Sequence, residues 1–128
     1  VCAFLIQYDV KILTGSYEHV IKYVTDNTFV YLDPPYRPIT KSSAFTSYTK
    51  SGFNDDNQKE LKIWCDSVVK KHGYFMLSNS DPKNSDPDDN FFDDLYSDYK
   101  IIRVNARRNI NSKGSARGQI TEILVKSF

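Results

Sequence analysis

Apolar and polar residues follow two rhythms along this chain, and the changes of rhythm mark its elements. Tyr17, Val20, Ile21 and Val24 fall at i, i+3, i+4 and i+7, one face of a helix, with Ser16 placed to cap it. Leu61, Trp64, Cys65 and Val68 form the stripe of a second helix. Asp55 and Gln58 stand at capping-box spacing at its start, and Lys70-Lys71-His72-Gly73 closes it with cations at the negative pole and glycine past the last turn. Short β-branched and aromatic runs predict strands at Val10-Lys11-Ile12-Leu13, Phe29-Val30-Tyr31-Leu32, Tyr74-Phe75-Met76-Leu77, Ile101-Ile102-Arg103-Val104 and Ile120-Thr121-Glu122-Ile123-Leu124-Val125. Asp86-Pro87 predicts the start of a short helix, with Phe91, Phe92 and Leu95 as its core contacts. Val1-Cys2-Ala3-Phe4-Leu5-Ile6 has neither cap nor turn and reads as the tail of a helix. Strands interleaved with helices give an α/β class, closed by an antiparallel hairpin. With no repeat or low-complexity linker, residues 1–128 read as one domain.

Asp33-Pro34-Pro35-Tyr36 follows directly on the strand that ends at Leu32. In open α/β sheets ligands collect outside the carboxyl ends of the strands. Paired prolines donate no ladder bonds and hold the turn rigid. A carboxylate, a bare proline carbonyl and a flat aromatic ring thus meet at a ligand-binding edge. An exocyclic amine on a purine is a poor nucleophile, because its lone pair is spread into the ring. Asp33 and the Pro34 carbonyl are suited to accept its two N–H bonds, localising density on nitrogen and stabilising the charge that develops. Tyr36 is suited to stack on the base. A target inside a duplex has first to be flipped out. The competing reading is a structural Asp-Pro-Pro turn.

Composition adds less than distribution does. Net charge is +1, too balanced to announce nucleic acid. Yet residues 81–98 are rich in Asp, whereas the charged residues from 100 to 117 are all basic: Lys100, Arg103, Arg107, Arg108, Lys113 and Arg117. That asymmetry suits a phosphate-holding edge, with a solvated face as the alternative. Residues 37–54 form a long connection in which Phe45, Tyr48 and Phe53 lie among Ser, Thr and Lys50, a mixture suited to nucleic-acid contact and to a lid over the pocket. Cys2 and Cys65 are the two cysteines, which fits a reduced, cytoplasmic chain. His19 and His72 stand alone and no zinc spacing exists, so no metal is expected. Val1 to Tyr8 is too short to span a membrane.

Val30-Tyr31-Leu32-Asp33-Pro34-Pro35-Tyr36, Leu77-Ser78-Asn79-Ser80-Asp81 and Ala106-Arg107-Arg108-Asn109-Ile110-Asn111-Ser112 occur in that order. Together they closely resemble the C-terminal half of the Dam-type (D12 class) DNA adenine-N6 methyltransferases, the GATC-methylating family. Phe45-Thr46-Ser47-Tyr48-Thr49-Lys50 and Phe91-Phe92-Asp93-Asp94-Leu95 also resemble its restriction–modification branch. The resemblance runs from about Lys11 to Phe128. It implies the C-terminal portion of a Rossmann-like S-adenosylmethionine-dependent methyltransferase fold, a mixed sheet ending in an antiparallel β-hairpin.

The resemblance implies catalytic roles for Asp33, Pro34, Pro35 and Tyr36, and places Ser16, Tyr17 and Asp33 beside S-adenosylmethionine. It implies double-stranded DNA as partner, with Arg37, Tyr48, Lys50, Asn79, Arg107, Arg108, Lys113 and Arg117 as contacts. It leaves room for a cognate restriction endonuclease in the same system. The chain departs from the family in lacking the Phe-x-Gly-x-Gly-like cofactor loop, the acidic ribose-binding residue and the target-recognition insertion. A partial catalytic domain, inactive alone, is the expectation. Cytosine-N4 methylation, RNA adenine methylation and a non-catalytic nucleic-acid-binding module remain the alternatives.

Overall fold

The computed structural model describes residues 10–38, 52–107 and 119–128. Four strands form one mixed sheet: β1 (Phe29–Leu32), β2 (Tyr74–Ser80), β3 (Lys100–Arg107) and β4 (Gln119–Lys126), in the order β1-β2-β4-β3. β1 runs parallel to β2, with Leu32 beside Leu77, so both strands deliver their carboxyl ends to the same edge. β4 is antiparallel to both β2 and β3, so the expected closing hairpin is present in the pairing of its two strands. The basic tip expected between them, with Arg108, Lys113 and Arg117, lies outside the described residues, as do Val1–Ile6 and the segment with Tyr48 and Lys50.

Side chains alternate between the faces of the sheet. One face presents Phe75, Leu77, Ile123 and Val125, all fully buried under α1 (Asp55–Lys70) and α2 (Phe91–Leu95). From α1 come Leu61, Trp64, Cys65 and Val68, the stripe its periodicity predicts. Phe92 and Tyr96 complete the core. Burial pushes the Cys65 thiol up to about 12, with the Asp66 charge adding to it, so this cysteine is a small apolar residue rather than a nucleophile.

Several local expectations are corrected. Residues 10–13 form no strand and are exposed, for no neighbouring strand among the described residues offers them a ladder. Tyr17–Tyr23 is a 3₁₀ helix rather than an α-helix, though Ser16 caps it as expected. The cap of α1 is Asn54, not Asp55. Its Oδ1 accepts from the N–H groups of Asp56 and Asn57, and Asn57 Oδ1 accepts from Asn54 N–H, completing the box one residue early. α2 starts at Phe91, not at Asp86-Pro87; a 3₁₀ turn (Pro82–Asn84) and turns at Ser85 and at Pro87-Asp88 occupy the approach.

Gly73 follows the end of α1, but His72 takes the left-handed conformation there, at φ 62°. A Cβ on Gly73 would sit 2.9 Å from Val24 Cγ1 and 3.1 Å from Val68 Cγ1. Close packing, rather than backbone freedom, requires glycine at that position.

Candidate active site

The loop after β1 is fastened from beneath by buried polar groups, and these explain its shape. Asn79 is fully buried and its Oδ1 accepts from Arg37 N–H at 2.9 Å. Its Nδ2 donates to Gln58 Oε1, and Gln58 Nε2 in turn donates to the Pro35 carbonyl at 3.2 Å. Ser80 Oγ donates to the Arg37 carbonyl. Buried polar groups need such partners, and here three of the four bonds each fix one backbone atom of the loop, while the fourth joins Asn79 to Gln58.

Arg37 completes the fastening. Its Nε lies 2.8 Å from Asp55 Oδ1 and its Nη1 2.7 Å from Asp89 Oδ2, while the guanidinium sits 4.3 Å above the Phe91 ring. Burial opposes ionisation of Asp89, but hydrogen bonds from Arg37 and from Phe91 N–H overcome it and hold the carboxyl below its ordinary value. The side chain expected to contact DNA is therefore committed to joining the loop, the start of α1 and the approach to α2. Asn79 is likewise drawn into the scaffold, with no surface left to offer a base.

Above these fasteners the reactive set is open. Asp33 is exposed; its Oδ1 accepts from Ser78 Oγ at 3.1 Å, and among the described residues nothing donates to its Oδ2 or to the Pro34 carbonyl. Tyr36 is exposed and its hydroxyl donates to Glu122 Oε2 at 3.3 Å. Partial desolvation, with the Glu122 and Asp33 carboxylates nearby, pushes its phenol above the ordinary value. The structure thus brings Asp33, Pro34, Pro35 and Tyr36 together at the carboxyl ends of β1 and β2. Chemically, the rim offers acceptors that no described residue engages, beside an aromatic ring tethered through its hydroxyl.

Ser16 and Tyr17 occupy a second place. Ser16 Oγ accepts from Glu18 N–H and donates to Glu18 Oε2, so it serves as a cap. The Tyr17 ring packs edge-on against Trp64, 5.7 Å between centroids. Both structural roles are observed, and a cavity of about 360 Å³ also opens beside them, lined by Thr14, Gly15, Ser16, Tyr17, His19 and Tyr23 among others. That size and mixture of hydroxyls with aromatic rings suits a planar heterocycle carrying a ribose. Arg107 contributes backbone to the end of β3.

Sequence reasoning missed Gln58 and Glu122 as parts of this site, and it delivered Ser78 to the same carboxyl edge as Asp33 without giving it a role. A signal existed for Gln58: it stands three residues before Leu61 on the apolar stripe of α1, where an amide has to find a buried partner. Glu122 gave none, since an acidic residue in a half-exposed strand is unremarkable.

Residues 2–110 match the family model described as D12 class N6 adenine-specific DNA methyltransferase. A Type II methyltransferase of Methanocaldococcus jannaschii is 46% identical over 121 residues, covering 94% of this chain and 40% of the relative. A Type II methyltransferase of Lactococcus lactis subsp. cremoris is 39% identical over 125 residues, 98% of this chain and 42% of the relative. A DNA adenine methylase of Escherichia coli is 29% identical over 110 residues, 86% of this chain and 37% of the relative. The chain therefore spans about two fifths of the length of the curated relatives it matches. With the family model covering most of its residues, the chain belongs to the D12 class of N6 adenine-specific DNA methyltransferases.

Proposed function

We propose that this chain is the catalytic segment of an S-adenosylmethionine-dependent DNA adenine-N6 methyltransferase, the C-terminal portion of a Rossmann-like fold, acting on GATC in a cytoplasmic restriction–modification setting. The observation that carries the reading is the exposed Asp33 carboxylate, bonded through one oxygen, next to a Pro34 carbonyl with no donor among the described residues and the Tyr36 ring. Family membership and the Type II methyltransferase relatives support the DNA substrate and the setting. The likeness of residues 45–50 and 91–95 to the GATC branch supports the site.

Asp33 and the Pro34 carbonyl accept the two N–H bonds of the flipped adenine amine, concentrating its lone pair and stabilising the cationic nitrogen as it forms. Tyr36 stacks on the base, and its tether to Glu122 limits the ring's freedom. Ser16, Tyr17 and the cavity beside them would hold the adenosine end of the cofactor. The bound S-adenosylmethionine supplies a methyl group already activated on a sulfonium.

The test is methyl transfer to a GATC duplex by the full-length protein, with the product nucleosides resolved. N6-methyladenine is expected, and Asp33→Ala should lower turnover by about 10²–10³-fold or more while duplex binding is retained. Near-normal turnover by Asp33→Ala overturns the assignment of roles. N4-methylcytosine, or transfer to RNA alone, overturns the substrate. DNA binding with no transfer by the native protein makes it a binding module.

A further inference from the structure

Two hydroxyls stand behind the Asp33 carboxylate in a single row. Tyr31 hydroxyl donates to Ser78 Oγ at 3.2 Å, and Ser78 Oγ donates to Asp33 Oδ1 at 3.1 Å. The direction of both bonds is fixed by chemistry. An ionised carboxylate can only accept, so Ser78 has to give its proton to Asp33, and its lone pair is then free to accept from Tyr31. All three side chains lie on the same face of the sheet. Leu32 pairs with Leu77, which sets Asp33 directly beside Ser78 at the point where β1 ends and β2 continues. Ser78 is 4% exposed, so water competes little for its hydroxyl.

Resting on the reading of Asp33 as acceptor of the target amine, we infer that Ser78, with its hydroxyl aimed by Tyr31, is the positioning residue that holds the Asp33 carboxylate for the reaction. A carboxylate at the end of a strand can rotate among staggered χ1 wells and turn about χ2. Engaging Oδ1 selects one orientation and leaves Oδ2 without a donor among the described residues. Tyr31 acts a step further back. Neither hydroxyl touches the base; both act through Asp33.

Two measurements test this. The first reads the three-bond couplings between Hα and the Hβ protons of Asp33 by NMR in this chain. One χ1 well is expected in the native protein and in Ser78→Thr, and rotamer averaging in Ser78→Ala. The second is methyl transfer in the full-length protein. There Ser78→Ala should lower kcat about 10–100-fold with KM within about twofold, Tyr31→Phe about threefold, and Ser78→Thr should stay within about threefold of native.

A single well retained in Ser78→Ala, or a kcat that ignores both substitutions, overturns the inference. Should Ser78→Ala not fold, Tyr31→Phe, which removes one oxygen from an exposed ring, decides it: unchanged couplings and kcat reject the row of hydroxyls. Loss of turnover in Asp33→Ala without any effect at Ser78 leaves the proposed function standing and removes this inference alone. Turnover retained in Asp33→Ala removes the function, whatever the couplings show.

Discussion

The two faces of the sheet carry different burdens. On one, Phe75, Leu77, Ile123 and Val125 are at 0% exposure beneath α1 and α2. On the other, Phe29 is 55%, Tyr31 57% and Tyr74 48% exposed, and the polar row of Tyr31, Ser78 and Asp33 runs among them. The loop after β1 lies over the boundary. Its Pro35 carbonyl and Arg37 are tied to Gln58, Asn79, Asp55 and Asp89, while Asp33 and Tyr36 are tied to Ser78 and Glu122 on the open side. The closed face thus supplies rigidity, and the open face keeps acceptors unspent. A catalytic carboxylate needs both, since it has to be fixed without being used up.

The sharpest way to break this contrast is to truncate matched aromatics on the two faces. Phe75→Ala should cost about 3–5 kcal/mol in urea-induced unfolding, because it removes a fully buried ring and leaves a cavity. Phe29→Ala should cost under about 1 kcal/mol, the ring being half exposed already. Equal costs would show that the open face is as much a core as the closed one.

Next in size is the Arg37 fastening. Arg37→Met keeps much of the stem but removes the guanidinium bonds to Asp55 and to Asp89 Oδ2, and should cost about 1.5–3 kcal/mol. Combined with Asp89→Asn, the two substitutions should be non-additive by roughly 0.5 kcal/mol or more. Strict additivity would mean that the pair at 2.7 Å contributes nothing beyond its parts.

The smallest effect is on acid stability. Burial raises Asp93, but the Arg103 guanidinium and then Lys83 outweigh it, and the folded value is lowered, as it is at Asp89. A lowered folded value means stability fully present above the unfolded carboxylate value of about 3.9 and lost as pH falls through the folded one. Each pair should contribute roughly 0–1 kcal/mol, and Asp93→Asn should flatten the fall in stability below about pH 4. A stability that rises on acidification in this window would reverse the sign of the assignment.

Some of this was legible residue by residue. The stripe Leu61, Trp64, Cys65 and Val68 needed nothing but its own spacing, because a helix of that length buries whichever face is apolar. The strand at Phe29–Leu32 and the loop after it were equally plain, since an apolar run stopped by two prolines has few other readings. Asn54 shows the limit: Asn, Asp and Asp in succession all cap well, and the contacts at the start of α1 chose among them. Residues 10–13 show another, for a strand pattern becomes a strand only where a partner supplies hydrogen bonds.

What the sequence determined by itself was the local chemistry: the apolar stripe of α1, the extended run that ends at Leu32, and a carboxylate, a proline carbonyl and a phenol ring within four residues. Tertiary structure alone decided which groups those residues meet. Arg37 was diverted into the scaffold by Asp55 and Asp89, residues 18 and 52 positions away, while Ser78 was set beside Asp33 across 45 positions. The physical reason is that hydrogen bonds act at about 3 Å and are blind to separation along the chain, so their partners exist only once the strands are in register.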